Sequence, residues 1–321
     1  MTVKSLQRRH LEAIVAVSEH RSVHEAARQL GMAQPALSRS LTEAEAVIGT
    51  RLFARSSLGS RPTATGESLL TQARFVLRGL ERIGGGAASA RAPVRLGCIA
   101  RGMHTLIPAL LERIYPADEA RRETTSEALR FRLVEGSTTA LLDAASRGEL
   151  DFAVVRSSGE AMPATELAVE RLYDERTVII AAASAKLPTE PMSLARLAEH
   201  DWVLPDLQTG SRAAFDRFWH EQGLAPVRPL IETRSFETNL ALVAHTRFLS
   251  IAPESIAARH ATRGGVRIVR TRRALPRAPV SLVFHPLARN DPTLVAFRVA
   301  IHDAAARARA LLRTRHREDG G

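Results

Sequence analysis

The first ninety residues contain side chains whose types and spacing suit nucleic-acid recognition. Gln34, Ser38 and Arg39 occupy exposed positions near the start of a predicted helix, and their amide, hydroxyl and guanidinium groups can hydrogen-bond to base edges or phosphates. Arg55 and Arg61 flank a short turn-rich stretch, and on a hairpin they would lie over phosphates or in the minor groove. This pattern predicts a DNA-binding surface. The alternative is an ordinary helical hairpin with solvated polar residues.

Three helices must position these side chains. The first is predicted from Leu6 to Ser18, where apolar residues recur at close to helical spacing. Ser22 and Glu25 form a predicted capping box, in which the Ser22 hydroxyl accepts from a free N–H and Glu25 reaches back to the Ser22 amide. Gly31 ends the second helix, and the third opens with Pro35 in its first turn. Two short helices joined by a tight turn after a preceding helix predict a helix-turn-helix.

The composition narrows the function classes. The 321 residues suggest two or three domains, and 45 Lys and Arg against 34 Asp and Glu give a net charge of +11. Neither of the two lysines, Lys4 and Lys186, follows a glycine as a Walker-type phosphate loop requires. Cys98 is the sole cysteine, which excludes an intrachain disulfide and a cysteine zinc cage. Without a catalytic constellation or a His-Glu-x-x-His motif, we predict no catalytic residue, no metal site and no cofactor.

The hydropathy pattern predicts a cytoplasmic protein with no membrane partner. The longest nearly apolar run, Val178 to Ala183, is far shorter than the ~20 residues of a membrane span. The charged, amphipathic N-terminus is a poor signal peptide. Two arginine clusters, at 263–277 and 307–317, are interpreted as an arginine-rich surface in preference to a second nucleic-acid site.

A long helix and a linker follow the predicted hairpin. From Thr65 onward, one apolar residue recurs every three or four positions, as in a two-helix coiled coil. The stripe consists of Leu69, Leu70, Ala73, Val76, Leu77, Leu80 and Ile83. It predicts a dimer seam, with packing against its own domain as the alternative. Residues 84–93, which begin with three glycines, are predicted to form a flexible linker.

Beyond Pro93 short strands alternate with helices. Strands are predicted at 94–99, 129–134, 151–155 and 280–284, and helices at 106–115, 138–146 and from Pro292. A second block repeats this alternation over residues 178–183, 202–204, 213–221, 229–232, 236–245 and 248–252. The alternation predicts parallel sheets with crossover helices. Two such α/β lobes, with the chain crossing over and back, would leave a cleft between them.

The order of residues in the N-terminal part resembles that of the LysR-type transcriptional regulators. The matching residues are Ala26, Ala27, Leu30, Gln34, Pro35, Ala36, Leu37, Ser38, Arg39, Leu41, Glu45, Gly49, Leu52, Phe53, Arg55, Thr63, Gly66 and Glu67. Ala44, Pro62 and Thr65 depart from the family's usual residues by changes of packing and capping. The resemblance is strongest over 6–70 and patchy after 165. The family's DNA contacts carry over to Gln34, Pro35, Ser38 and Arg39, with Arg55 and Arg61 at the wing.

The resemblance implies an α/β protein with an all-α N-terminal part. A winged helix-turn-helix domain would span 1–64, and a linker and dimerisation helix with a hinge would span 65–92. A bilobal effector domain, similar to periplasmic binding proteins, would follow. Its lobe I would comprise 93–163, completed by 272–321, and its lobe II would comprise 164–271.

The implied effector site lies in the cleft. Ser137 and Thr138 stand at a predicted strand-to-helix turn that can hold an anion or a polar ligand, although helix capping alone would also explain them. The facing candidates are Arg101 and His104 on the loop after the first strand, and Thr209, Ser211 and Ser235 across the cleft. A carboxylate paired with Arg101 would make the effector an organic acid; a solvated surface arginine is the alternative. Cys98, inside a strand, is interpreted as a buried structural thiol.

The partners implied by the resemblance are double-stranded promoter or operator DNA, a small-molecule effector, RNA polymerase, and further copies of the chain in a homodimer or homotetramer. One alternative is a bilobal small-molecule-binding protein or enzyme whose N-terminal helices serve only for oligomerisation. A nearer alternative is a regulator whose cleft stays empty.

Overall fold

The computed structural model of the chain describes residues 5–56, 59–84, 93–117, 130–157, 167–207 and 209–318. The helices are α1 (Arg8–His20), α2 (Val23–Gln29), α3 (Gln34–Ile48), α4 (Ala64–Gly84), α5 (Ala100–Ile114), α6 (Thr138–Ser146), α7 (Leu194–Ala198), α8 (Gly210–Glu221), α9 (Phe236–Ala244), α10 (Glu254–Ala261) and α11 (Pro292–Glu318). The strands are β1 (Phe53–Ser56), β2 (Gly59–Pro62), β3 (Val94–Cys98), β4 (Phe131–Glu135), β5 (Phe152–Arg156), β6 (Ala168–Ala182), β7 (Val203–Pro205), β8 (Ile231–Thr233), β9 (Ser250–Pro253), β10 (Val266–Val269) and β11 (Arg277–Phe284). In the part of the chain so described, no helix is both long and apolar enough to cross a membrane.

The N-terminal helices pack around a small apolar core. Ile14 and Val17 of α1 are fully buried with Ala26 of α2 and Leu37 of α3. The predicted cap is confirmed, since the Ser22 hydroxyl accepts from the N–H of Glu25 at 3.3 Å. The reciprocal bond was predicted wrongly, because the Glu25 carboxylate binds Nη2 of Arg28 at 2.5 Å instead. The first helix also begins at Arg8, two residues later than the apolar pattern indicated.

The hairpin β1–β2 is fixed to the end of α1. The N–H of Ser60 donates to the carbonyl of Arg21 at 2.8 Å. Gly59 has φ of +96°, and a Cβ atom at this position would collide with the same carbonyl. Only glycine therefore lets the hairpin approach α1 so closely.

Helix α4 buries part of the predicted dimer stripe against its own chain. Leu70 and Ala73 of the predicted dimer stripe are buried, and Leu70 belongs to the N-terminal core. Val76 and Leu80 of the same stripe are exposed. The alternative of packing within the chain therefore holds for part of the stripe, and the exposed part stays available to a partner. Of the predicted linker, residues 85–92 lie outside the described chain.

The first lobe is a sheet with helices on its faces. Strand β3 runs parallel to both β4 and β5, whereas β11 runs antiparallel to β5 and β6. The prediction of parallel sheets was therefore wrong in part, because the strands that join the lobes return in the opposite direction. Helices α5 and α11 cover an apolar core that includes Leu96, Phe152 and Phe297.

The second lobe shares its central strand with the first. Strand β6 is 15 residues long, and its second half pairs with β9 and β10. The sequence predicted only residues 178–183 of it, because the apolar run begins there. Trp202, Phe215 and Trp219 fill the core of this lobe, beside the short parallel pair β7–β8. Helices α7 and α10 and strand β10 were missed.

Candidate functional site

The polar side chains predicted to contact DNA lie on the outer face of α3. Gln34, Pro35 and Arg39 are exposed and Ser38 is partly exposed. Leu37, Leu41 and Ala44 face the core from the opposite side of the helix. This division follows from the helical repeat, because residues three or four apart share a face.

Two contacts fix α3 relative to its neighbours. At its start, Nδ1 of His24 in α2 lies 3.3 Å from Oε1 of Gln34. Near its end, Oε1 of Glu45 accepts from the N–H of Leu52 at 2.8 Å, just before the hairpin. Gly49 closes the helix in the left-handed conformation, with φ of +82°. The helix and the hairpin are thus held as one unit.

The hairpin carries the two arginines that the sequence predicted for a wing. Its register pairs Arg55 with Ser60 and Arg61 with Ala54. The side chain of Arg61 is exposed, and that of Arg55 lies outside the described part of the chain.

A cavity of about 590 Å³ lies between the two lobes. Its lining comes mainly from the first residues of four helices, α5, α6, α8 and α9. The lining residues are Ile99, Ala100, Arg101, Glu135, Gly136, Ser137, Thr138, Thr139, Arg156, Asp206, Thr209, Gly210, Ser211, Arg234 and Phe236. Because helix N-termini carry unsatisfied N–H groups and positive potential, this arrangement favours an anionic group.

Five of the seven predicted effector residues line this cavity. They are Arg101, Ser137, Thr138, Thr209 and Ser211. Helix capping, the other explanation that the sequence left open for Ser137 and Thr138, also occurs. The Ser137 hydroxyl accepts from the N–H of Ala140, and the Thr209 hydroxyl accepts from that of Arg212, each at 3.3 Å. These side chains therefore begin their helices and line the cavity at once.

His104 and Ser235 lie outside the cavity lining, contrary to prediction. The sequence placed His104 on a loop, but α5 begins at Ala100, six residues earlier than predicted. Nδ1 of His104 lies 3.7 Å from Oε1 of Glu237 in the second lobe. The Ser235 hydroxyl accepts from the N–H of Thr238 and caps α9, so that its neighbours Arg234 and Phe236 reach the cavity instead.

Arg101 is not the solvated surface arginine that the sequence left open. It lies on the first turn of α5, not on a loop, and its side chain is 4% exposed. Its Nη1 lies 3.6 Å from Oε2 of Glu175, which is buried completely. Glu175 also accepts from the hydroxyl and the N–H of Ser255. The charge of Arg101 is therefore offset by a carboxylate of its own chain.

Arg156, the last residue of β5, was missed by the sequence analysis. Only 6% of the residue is exposed, and Nη1 donates to the carbonyl of Gly210 in the other lobe at 2.6 Å. Its Nε is buried without a hydrogen-bond partner. Burial, and then the charges of Arg101 and Arg217, lower the pKa of Arg156 to about 10. The sequence signal that could have identified Arg156 is its position directly after the apolar run of a strand that ends at the cleft.

The far end of α6 contacts α4. The hydroxyl of Thr71 donates to the carbonyl of Ser146 at 3.4 Å. Nη1 of Arg74 donates to the carbonyl of Arg147 at 2.8 Å, and Nη1 of Arg78 to that of Gly148 at 2.5 Å. One short helix therefore has its first turn in the cavity and its last turn on the helix that leads to α1–α3.

Asp151, at the start of the predicted strand 151–155, is the fully buried centre of this contact. Its Oδ2 accepts from the N–H of Arg95 at 2.9 Å. Its Oδ1 lies 3.2 Å from Nε of Arg78 and 3.8 Å from Nη1 of Arg82. Arg82 also binds Asp291, at 2.7 Å. This cluster joins α4 to the first lobe by charge as well as by hydrogen bonds.

Cys98 is buried, as predicted, and burial raises the pKa of its thiol. Its sulfur fills the space that a side chain at Gly102 would need. Among the residues that the structure describes, no group of three or more His, Cys, Asp and Glu side chains is placed to hold a metal ion.

A winged helix-turn-helix on a long helix, followed by two lobes around a cavity, defines a transcriptional regulator with a small-molecule-binding domain. The family model "Bacterial regulatory helix-turn-helix protein, lysR family" matches residues 8–67, and the model "LysR substrate binding domain" matches residues 87–306. The chain belongs to the LysR family. The resemblance predicted from the sequence is thus confirmed, and the relatives are transcriptional regulators, not enzymes.

Relatives and solved structures agree with this assignment. The chain is 30% identical to the small neutral protease regulatory protein of Streptomyces lividans, over 79% of this chain and 72% of the relative. The fold is similar to ArgP from Mycobacterium tuberculosis, with a TM-score of 0.72 and 20% identity over 92% of this chain and 96% of that one. It is also similar to full-length CbnR in complex with its target DNA, with a TM-score of 0.57 and 19% identity over 94% and 99% of the two chains.

Proposed function

We propose that this LysR-family protein binds promoter or operator DNA through α3 and the hairpin, and that a small molecule in the cavity modulates this binding. The single observation that carries the proposal is the polar outer face of α3. Gln34, Ser38 and Arg39 lie there together beside an anchored hairpin. Their groups suit base edges and phosphates in the major groove.

The individual contacts follow from the chemistry of each side chain. Gln34, Ser38 and Arg39 would read base edges or hold phosphates, and Pro35 would pack against the DNA at the start of the helix. Arg55 and Arg61 would neutralise phosphates beside the major groove or enter the minor groove. Two copies on a two-fold-related site would place their recognition helices about one DNA turn apart, ~34–36 Å.

The domain organisation of the proposal is that implied by the sequence. Residues 1–64 bind DNA, and residues 65–92 contain the dimerisation helix and the hinge. Lobe I comprises residues 93–163 and 272–321, and lobe II comprises residues 164–271. The exposed side chains of Val76 and Leu80 on α4 support a dimer seam, because unpaired apolar residues on a helix favour a partner helix. The resulting dimer or tetramer would bend DNA and recruit RNA polymerase.

The contacts of α6 supply a route from the cavity to the DNA-binding part. A small organic molecule bound at Ser137 and Thr138 would hold the first turn of α6. The last residue of the same helix accepts a hydrogen bond from Thr71 of α4, and the two residues directly after it accept from Arg74 and Arg78. A ligand that fits one arrangement of the lobes better than another would thereby favour one position of α4, and only such differential binding can shift the equilibrium.

The test is a titration of the full-length protein against the DNA immediately upstream of its own gene, followed by fluorescence anisotropy. Unrelated DNA of equal length and a second salt concentration complete the design, because phosphate contacts make affinity salt-dependent. Replacing Arg39 by Ala should weaken specific binding by roughly 1–3 kcal/mol, the worth of one good base contact. Arg8→Ala is the matched control, since Arg8 is an exposed arginine of α1 paired with Glu12.

Site-selective binding that Arg39→Ala weakens and Arg8→Ala preserves would support the proposal. Equal binding of both DNAs, with no preferred site in a genome-wide selection, would contradict it. The rival function, a bilobal binding protein whose first helices serve only for oligomerisation, would then stand.

A further inference from the structure

The charged side chains around the cavity are mostly paired with one another. Nε of Arg234 binds Oδ2 of Asp206 at 2.9 Å, which neutralises both at the rim. Arg101 lies beside the buried carboxylate of Glu175, as described above. These two pairs leave no net charge for a ligand to balance.

Two lining residues remain that form no ion pair with a described residue, although Glu175 also attracts the first of them. One is Arg156, whose guanidinium is bound only to the Gly210 carbonyl and whose Nε has no acceptor. The other is Glu135, the last residue of β4, whose exposed side chain forms no hydrogen bond or ion pair with the described residues. The cavity thus offers one buried cation in its wall and one accessible carboxylate.

The buried cation requires an anion more strongly than the exposed carboxylate requires a cation. A charge removed from water is expensive to leave unpaired, and a free Nε–H and a neighbouring N–H suit the two oxygens of a carboxylate. The first turns of α6 and α8, which have nine and 12 residues, direct further N–H groups and positive potential into the same space. Glu135 would then stand close to the remaining part of the ligand.

We infer that the ligand is a zwitterion of the amino-acid class, with its carboxylate on Arg156 and its ammonium group facing Glu135. A dicarboxylate would bring a second negative charge toward Glu135, and a simple amine would bring a positive charge toward Arg156. The volume of about 590 Å³ lies within the ~300–1,000 Å³ range of small-molecule sites and holds an amino acid with some water. This inference rests on the proposed role of the cavity as the effector site and specifies its ligand.

The test uses isothermal titration calorimetry on the full-length protein with the twenty L-amino acids as probes. Each amino acid that binds is compared with its 2-oxo acid, which lacks the ammonium group, and with its decarboxylated amine. Succinate serves as the dicarboxylate. The variants are Arg156→Gln and Glu135→Gln, and the control is Arg132→Gln, an exposed arginine on the same strand as Glu135.

One amino acid or a related group should bind the wild type, more tightly than its 2-oxo acid and its amine. Arg156→Gln should weaken this binding at least about thirtyfold, because it removes one partner of a buried charge pair. Glu135→Gln should weaken amino-acid binding about fivefold, the effect of an exposed ion pair, and leave the 2-oxo acid unaffected. Arg132→Gln should change neither. Since Glu135 is exposed, its variant keeps the test decisive even if Arg156→Gln unfolds the protein.

Tighter binding of succinate or of a 2-oxo acid than of any amino acid would overturn the inference, as would binding of no amino acid at all. Unchanged amino-acid affinity in Glu135→Gln would also overturn it. None of these results depends on the specific DNA binding that the anisotropy titration tests, so failure of this inference and failure of the proposed function are distinguishable.

Discussion

Two groups of buried arginines have different roles in this molecule. On α4, Arg74, Arg78 and Arg82 lie one turn apart and meet carbonyls and carboxylates of the first lobe. At the cavity, Arg101 and Arg156 share a single buried carboxylate, that of Glu175. Each arginine of the first group has a carboxylate within 4 Å, although Nε and Nη2 of Arg78 lack a hydrogen bond. The second group has one buried carboxylate for two arginines.

The causes of the pKa shifts differ between the two groups of arginines. Burial lowers the pKa of both Arg78 and Arg156 to about 10. For Arg78 the next contribution is the attraction of Asp151, which opposes the effect of burial, and smaller repulsions from Arg95, Arg82 and Arg74 add to that effect. For Arg156 the next contributions are the repulsions of Arg101 and Arg217, which add to it. Arg156 therefore has less compensation from a carboxylate than Arg78, which favours a ligand site at Arg156 and a structural joint at Arg78.

The largest expected effect is that of Asp151→Asn. The amide can still accept from the N–H of Arg95, but Arg78 and Arg82 lose the carboxylate between them. Breaking a buried ion pair in this way should lower the free energy of unfolding by about 3–5 kcal/mol. Urea denaturation measures the loss.

The matched control is Glu149→Gln, two residues earlier in the chain. Its carboxylate, 42% exposed, binds Arg147 and lies 3.9 Å from Arg74. The free energy of unfolding should fall by less than about 1 kcal/mol, as for other exposed pairs. Equal losses in the two variants would contradict the structural role assigned to Asp151.

A smaller effect separates capping from ligand binding at the cavity. Ser137 and Ser193 both cap a helix by accepting from an N–H at 3.3 Å, but only Ser137 lines the cavity. Replacing either by Ala should lower the free energy of unfolding by about 1 kcal/mol. Only Ser137→Ala should also weaken the binding of the ligand in calorimetry. If both variants bound ligand like the wild type, Ser137 would be a cap and nothing more.

The smallest expected effect concerns pH. A pKa of about 10 keeps Arg156 protonated throughout the neutral range, and its charge is lost only as the pH rises through that value. Calorimetry at pH 6, 7 and 8 should therefore give the same affinity for a carboxylate ligand. A fall in affinity across this range would contradict the assignment of anion binding to Arg156.

The N-terminal part could be predicted closely because its signals are local. Ser22, Gly31, Pro35 and Gly49 fix helix ends through their own backbone and side-chain chemistry, and the structure has helix boundaries within a residue or two of them. The outer face of α3 then follows from the helical repeat alone.

The cavity could be predicted only in part because its chemistry depends on distant residues. Arg101 was chosen for its place after a strand, but its partner Glu175 lies on β6, which the apolar pattern recognised only from residue 178. Arg156 was passed over because nothing next to it in the sequence reveals that Gly210 would cover it. Asp151 had the same difficulty, since its partners lie about seventy residues earlier on α4.

Arg78 is thus expected to stabilise the fold through its contacts with the first lobe, and Arg156 to bind a ligand. The most direct test is urea denaturation of Arg78→Met and Arg156→Met without added ligand. Arg78→Met should lower the free energy of unfolding by about 3 kcal/mol, because it leaves the buried carboxylate of Asp151 with Arg82, at 3.8 Å, as its remaining charged partner. Arg156→Met should change it by less than about 1 kcal/mol or raise it, because an apolar side chain replaces a buried charge that forms no ion pair with the described residues. Equal destabilisation by the two substitutions would contradict this expectation.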